Sequence, residues 1–95
     1  MANSRQVVPT IKIAGTAVKV AYTGTQGVTA AVGSSLAMVC ATSDCHIVVG
    51  SSPTATANDT FLPAKTVVYL SCLTTDKIAA IQDSAGGTLF VTPCQ

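Results

Sequence analysis

Four cysteines and one histidine are the residues of this chain with the most chemistry to offer. Cys40, Cys45 and His46 lie close together, whereas Cys72 and Cys94 stand far downstream. Tetrahedral zinc draws on paired knuckles of short Cys-x-x-Cys type spacing. Cys40 and Cys45 form one such pair and His46 supplies a third donor, but Cys72 and Cys94 do not make a second knuckle. An even cysteine count in a small domain also fits disulfides that staple a thin core. Cys40–Cys45 would close a local loop and Cys72–Cys94 would tie the end of the chain back. Buried free thiols packing as small hydrophobes are the third reading. The spacing leaves disulfides and buried thiols both open.

Other catalytic arrangements find less support. A Cys–His nucleophile needs both side chains on one side of the chain. Adjacent strand residues point to opposite faces, so Cys45 and His46 are badly placed to cooperate, and only Asp44 stands near to orient them. Paired carboxylates for hydrolysis are equally unsupported, because a strand's length of about 23 Å separates Asp76 from Asp83. Asp59, within Asn58-Asp59-Thr60, reads as a turn residue bonding its own backbone, not as part of a calcium loop. Tyr22 and Tyr69 offer a sugar-stacking pair in principle, with packing as the simpler role. No catalytic, cofactor-binding or metal-binding residue is assigned, and no cofactor is expected.

The elements that would position these residues are set by composition. Ninety-five residues make a single domain. Hydrophobic residues reach 48% while aromatics are only 4% and Trp is absent, so the apolar content is mostly Ala and Val. Such side chains bury little area each, and a partner surface would supplement the core. Charged residues are 9%, far below an ordinary soluble domain. The acids are Asp44, Asp59, Asp76 and Asp83, all beside turn-forming residues; the bases Arg5, Lys12, Lys19, Lys65 and Lys77 are scattered. Nucleic-acid binding calls for a clustered basic footprint, so no nucleic-acid partner is expected. Nor is a membrane: the start of the chain has no apolar run of signal-peptide length, and Leu36–Ala41 is far too short to span a bilayer. Synthesis in a cytoplasm is the expectation, and with it an unused glycosylation pattern at Asn58.

The hydrophobic pattern has period two. Residues 1–6 read as a polar arm and residues 7–95 as one β domain. Strands are expected over Val7–Ile13, Thr16–Tyr22, Val28–Val32, Leu36–Ala41 and His46–Gly50. Beyond these come a long surface loop over Ser51–Thr60 and then strands Thr66–Cys72, Lys77–Gln82 and Thr88–Thr92. Thr66–Cys72, rich in β-branched and aromatic residues, is the strongest strand signal. Asp83-Ser84-Ala85-Gly86-Gly87 reads as a hairpin loop whose glycines take positive φ. A short helix over Thr29–Cys40 competes, but Gly33 and two serines would sit in its middle. Turns at regular short spacing predict an all-β fold, a small β-sandwich or jelly-roll-like barrel with little or no helix.

Three stretches carry a family resemblance: Val48-Val49-Gly50-Ser51-Ser52-Pro53-Thr54-Ala55-Thr56, Phe61-Leu62-Pro63-Ala64, and the run from Asp76-Lys77-Ile78-Ala79-Ala80-Ile81 through Gly87-Thr88-Leu89-Phe90-Val91-Thr92. Together they resemble small virion structural proteins of tailed bacteriophages, in which the cadence "G-x-x-P-T-A-T … L-P-A-G … G-D-K-I-A-x-I … G-T-L-x-V-T" recurs. Lys65 and Thr75 stand where that cadence has glycine. The resemblance covers about half of the chain and carries no active site. It implies a non-enzymatic capsid decoration (cement) protein, a dimer or trimer on the capsid surface. Its partners would be the major capsid protein and copies of itself. The arm, Ala2, Asn3, Ser4, Arg5, Gln6, Val7 and Val8, would then contact a neighbouring subunit. The alternative is a head-fibre, collar or tail-associated β-module that binds cell-surface glycan through the Ser51–Thr60 loop.

Overall fold

The computed structural model describes residues 11–95. Eight strands follow one another: β1 Val18–Tyr22, β2 Gly27–Val28, β3 Leu36–Ala41, β4 Cys45–Gly50, β5 Thr60–Leu62, β6 Val68–Ser71, β7 Lys77–Gln82 and β8 Gly87–Cys94. Among the described residues there is no helix. The strands build two packed antiparallel sheets, ordered β1-β8-β3-β6 and β2-β7-β4-β5.

The pairing has one simple logic. β1 pairs with β8, β2 with β7, β3 with β6 and β4 with β5. This is one long hairpin with its tip between β4 and β5. It is rolled up so that β8 also meets β3 and β7 also meets β4. The all-β sandwich expected from the sequence is therefore present, with jelly-roll strand order.

Alternation decides which face of each strand turns inward. In β3, Ala37, Val39 and Ala41 are buried while Leu36, Met38 and Cys40 are only half-buried. In β1, Tyr22 is buried, Val18 and Val20 are half-buried, and Lys19 and Ala21 are exposed. Tyr22, Val39, Cys45, Leu62, Ile78, Leu89 and Val91 fill the space between the sheets. Each larger aliphatic among them contributes roughly 1.5–3 kcal/mol by leaving water. β7 breaks the alternation, with Ile78, Ala79 and Ala80 all buried. Ala79 lies on the outward side between its register partners Val28 and Val48 and is small enough for them to cover.

Several expected elements come out differently. Of the strand expected over Val7–Ile13, residues 7–10 lie outside the described residues, and Ile13 makes only an isolated bridge to Cys94. Val28–Val32 shrinks to β2, although Thr29 and Val32 still donate to the carbonyls of Ile78 and Asp76. Thr66–Cys72 shortens to β6 despite its composition. It is an edge strand, paired to β3 alone, and the ladder stops at Val68. Before it the chain is turned by Lys65, whose φ is 60°, a left-handed conformation in which glycine is easier. This is one of the two positions where the phage-protein cadence has glycine. Thr29–Cys40 contains no helix: residues 29–35 are irregular and Leu36–Cys40 lie in β3.

The segment Asp83–Gly86 is not a hairpin, because β7 and β8 belong to different sheets. It is an arch across the sandwich, and its glycines serve close approach rather than positive φ. A side chain at Gly86 would press on the Tyr22 carbonyl, and one at Gly87 would overlap Ser43 Oγ, the Tyr22 hydroxyl and Thr42 Oγ1. The Ser51–Asp59 loop, at the tip of the rolled hairpin, is less free than its composition suggests. Ala55 is buried and its N–H donates to Gln26 Oε1.

Candidate interaction surface

The trio considered for zinc is dispersed over three surfaces. Cys40 points outward from the β1-β8-β3-β6 sheet, Cys45 lies in the core, and His46 points outward from the β2-β7-β4-β5 sheet. Among the described residues no cluster of three or more ligand-type side chains exists. All four cysteines are free thiols, Cys45 and Cys94 buried and Cys40 and Cys72 half-buried. Burial pushes the thiols of Cys45 and Cys72 up from their ordinary value, away from reactivity. Cys72 Sγ donates to the Ser34 carbonyl, and Ser34 Oγ donates to the Cys94 carbonyl, so one serine ties the two cysteine-bearing strand ends together.

Opposite orientation of Cys45 and His46 is what neighbouring strand positions require. The carboxylate that reaches His46 is Asp83, not Asp44. His46 Nε2–H donates to Asp83 Oδ1 at 2.9 Å, and Nδ1–H donates to the Asp59 carbonyl at 3.0 Å. Asp83, followed by the Asp59 carbonyl, raises the histidine above its ordinary value of 6.5. The other acids act on backbone. Asp44 accepts from Ala64 N–H, Asp59 from Thr56 N–H, and Asp76 from Leu73 N–H. The last two are local, turn-closing bonds of the kind short acidic side chains make, whereas Asp44 ties the β3–β4 arch to the chain after β5.

The tyrosines do not meet. Tyr22 is buried, and its hydroxyl donates to the Ser43 carbonyl at 2.6 Å while accepting from Ser43 N–H. Ser43 Oγ lies within bonding distance of the Ala85 and Gly86 carbonyls. One phenol and one serine thus lock β1, the β3–β4 arch and the β7–β8 arch together at one end of the sandwich. Burial raises the Tyr22 phenol, with the Ser43 hydrogen bond opposing it. Tyr69 instead points outward from β6 and is 49% exposed.

That outward position belongs to a continuous surface. Register places Lys19, Phe90 and Cys40 in one row across β1, β8 and β3. The next row holds Thr92, Met38 and Tyr69 across β8, β3 and β6. Phe90 is 37% exposed, and the Lys19 ammonium sits 5.9 Å from the centre of its ring, within cation–π range. These rows contain no carboxylate, and their one charge is Lys19. Apolar residues grouped on an exposed sheet face mark contact surfaces more often than isolated ones do. Phe61, 48% exposed beside the His46 ring at 5.5 Å between centroids, is the corresponding aromatic on the other sheet.

Sequence reading did not single out Phe90, Met38 or Lys19. For Phe90 the signal was present in Thr88–Thr92, where Leu89, Phe90 and Val91 run on without a polar residue; Met38 and Lys19 join it only through the strand register. The arm residues Ala2–Val8 fall outside the described residues. No protein-family model, curated protein or solved structure matches this chain.

Proposed function

We propose that this chain is a non-enzymatic structural protein of a bacteriophage particle. In this reading it is a capsid decoration (cement) protein that bridges major capsid subunits on the particle surface as a dimer or trimer. The carrying observation is the partly exposed, nearly uncharged outer face of the β1-β8-β3-β6 sheet around Phe90 and Tyr69, with the half-buried Met38 between them. Attachment through such a face draws on apolar burial, and repetition over a lattice lets each contact be modest. The rolled two-sheet scaffold suits this role, and the resemblance of the Val48–Thr92 stretches to small virion proteins supports the same reading. His46 is hydrogen-bonded at both ring nitrogens to groups of its own chain, the Asp59 carbonyl and the Asp83 carboxylate.

The test is cosedimentation of the purified protein with capsids that lack it, followed by imaging of the particles. Saturable binding at a repeated lattice position is the expected result. Density at a single vertex or on the tail would move the role to a collar, fibre or tail component. Absence of binding would defeat the reading. Deleting residues 2–8 is expected to weaken attachment and leave the β fold intact; wild-type occupancy by the truncated chain would remove the arm from the contact.

A second reading, glycan binding by a fibre- or tail-associated module, draws on Phe61. A half-exposed ring beside a hydrogen-bonding histidine is the kind of platform on which a sugar stacks. A glycan array with the isolated chain separates the two readings, since a cement protein should give no signal.

A further inference from the structure

We infer that His46 is a proton-operated clasp: as an imidazolium it ties β4 both to the loop entering β5 and to the arch between β7 and β8, and loss of its proton opens one tie. The partners themselves require the cation. The Asp59 carbonyl and the Asp83 carboxylate accept hydrogen bonds and have no proton to give. A neutral imidazole carries one N–H, so it satisfies only one of them and turns a lone pair toward the other.

The surroundings reinforce the charged form. Across the ladder His46 faces Phe61 on β5 and Ile81 on β7, both apolar. The Phe61 ring, inclined at 60° to the imidazole, borders one side of the ring. The charged groups acting on it are Asp83, from the β7–β8 arch, and the Asp59 carboxylate, which is itself turned onto Thr56 N–H. Asp44, two positions back along the chain, is held by Ala64 N–H. No lysine or arginine pairs with His46 from β5 or β7.

The chemistry also says which tie opens. The side chain of Asp83 is 45% exposed and can exchange its partner for water, whereas a carbonyl left facing a lone pair within the sheet edge cannot do so as easily. The neutral form therefore keeps Nδ1–H on Asp59 and releases Asp83. Release stays local, because Asp83 N–H still donates to the Asp44 carbonyl and Ser43 still holds Ala85 and Gly86. With the folded-state value raised above the unfolded one, the clasp is whole below the unfolded value and is lost as pH rises through the folded one.

The test is a pH titration of the full chain followed by nuclear magnetic resonance of the imidazole carbons and nitrogens. The expected result is a His46 midpoint above that of a free histidine and a neutral form protonated at Nδ1. Asp83→Asn is expected to bring the midpoint down toward the ordinary value while the rest of the spectrum is retained. A wild-type midpoint at or below 6.5 would overturn the proposal whatever the variant does. So would a neutral form protonated at Nε2 with Asp83 still engaged.

Discussion

The two sheets of this sandwich turn very different outer faces to the surroundings. On β2-β7-β4-β5 the polar groups are tied to one another: His46 holds Asp83 and the Asp59 carbonyl, and Ala79 is covered by the valines beside it. On β1-β8-β3-β6 the exposed Phe90 and Tyr69 lie beside the half-buried Met38 and Cys40, and among the described residues of these rows Lys19 is the one charge. On the first face Phe61 and Val28 stay exposed, but its histidine and acids are hydrogen-bonded within the chain. Among the described residues the second carries the larger group of uncovered apolar side chains, and on this difference the proposed attachment rests.

The sharpest way to break the comparison uses two neighbours in β8. Val91→Asp would place an unpaired carboxylate among buried aliphatics. The expected loss is about 4 kcal/mol or more, enough to abolish the cooperative unfolding transition in circular dichroism. Phe90→Asp, one residue earlier on the outer face, is expected to cost clearly less than Val91→Asp and to leave a cooperative transition, because the ring is 37% exposed. It is nevertheless expected to lose capsid cosedimentation. If Phe90→Asp decorated particles normally, the open face would not be the contact.

Tyr22→Phe tests the lock that joins the sheets beneath both faces. Removing the hydroxyl strands the Ser43 carbonyl and N–H, and a loss of about 1–3 kcal/mol in chemical denaturation is expected. An unchanged denaturation midpoint would mean that Ser43 finds other partners. The smallest effect belongs to the closed face. Asp83→Asn is expected to cost below about 1 kcal/mol, because the carboxylate is well solvated. That difference should appear below the raised His46 midpoint and vanish above it, the order in which a protonated histidine gains and loses its partner. Particle attachment should not respond; if it did, the two faces would not be independent.

Much of the scaffold was legible in the chain because alternation has a local cause. Residues such as Ala37, Val39 and Ala41 announce the inward side of β3 without reference to any other strand. The Thr66–Cys72 signal was misleading for the opposite reason. Propensity describes how well a residue fits a pleated surface, whereas the length of β6 is set by what β3 can still offer and by the Lys65 turn. The arch at Asp83–Gly87 looked like a hairpin because turn residues look alike whether the chain returns within a sheet or crosses between sheets. Nor did spacing reveal the His46–Asp83 pair, since the two residues meet only when β4 lies against β7. The dispersal of Cys40, Cys45 and His46 follows from the same cause: period two and a change of sheet separate residues that are close in sequence.

The rolled pairing also sets an order of events for a newly made chain. β8 is the last of the eight strands to be synthesised, yet it is a central strand, seated between β1 and β3. Until it emerges, β1 has no partner within its own sheet, and β3 has an open edge. A nascent or truncated chain therefore exposes strand edges to its neighbours for as long as the last strand is missing. Closure between residues so distant in sequence is intrinsically slow. For a protein produced in many copies, the arrival of Thr88–Thr92 would then be the step that divides assembly from aggregation.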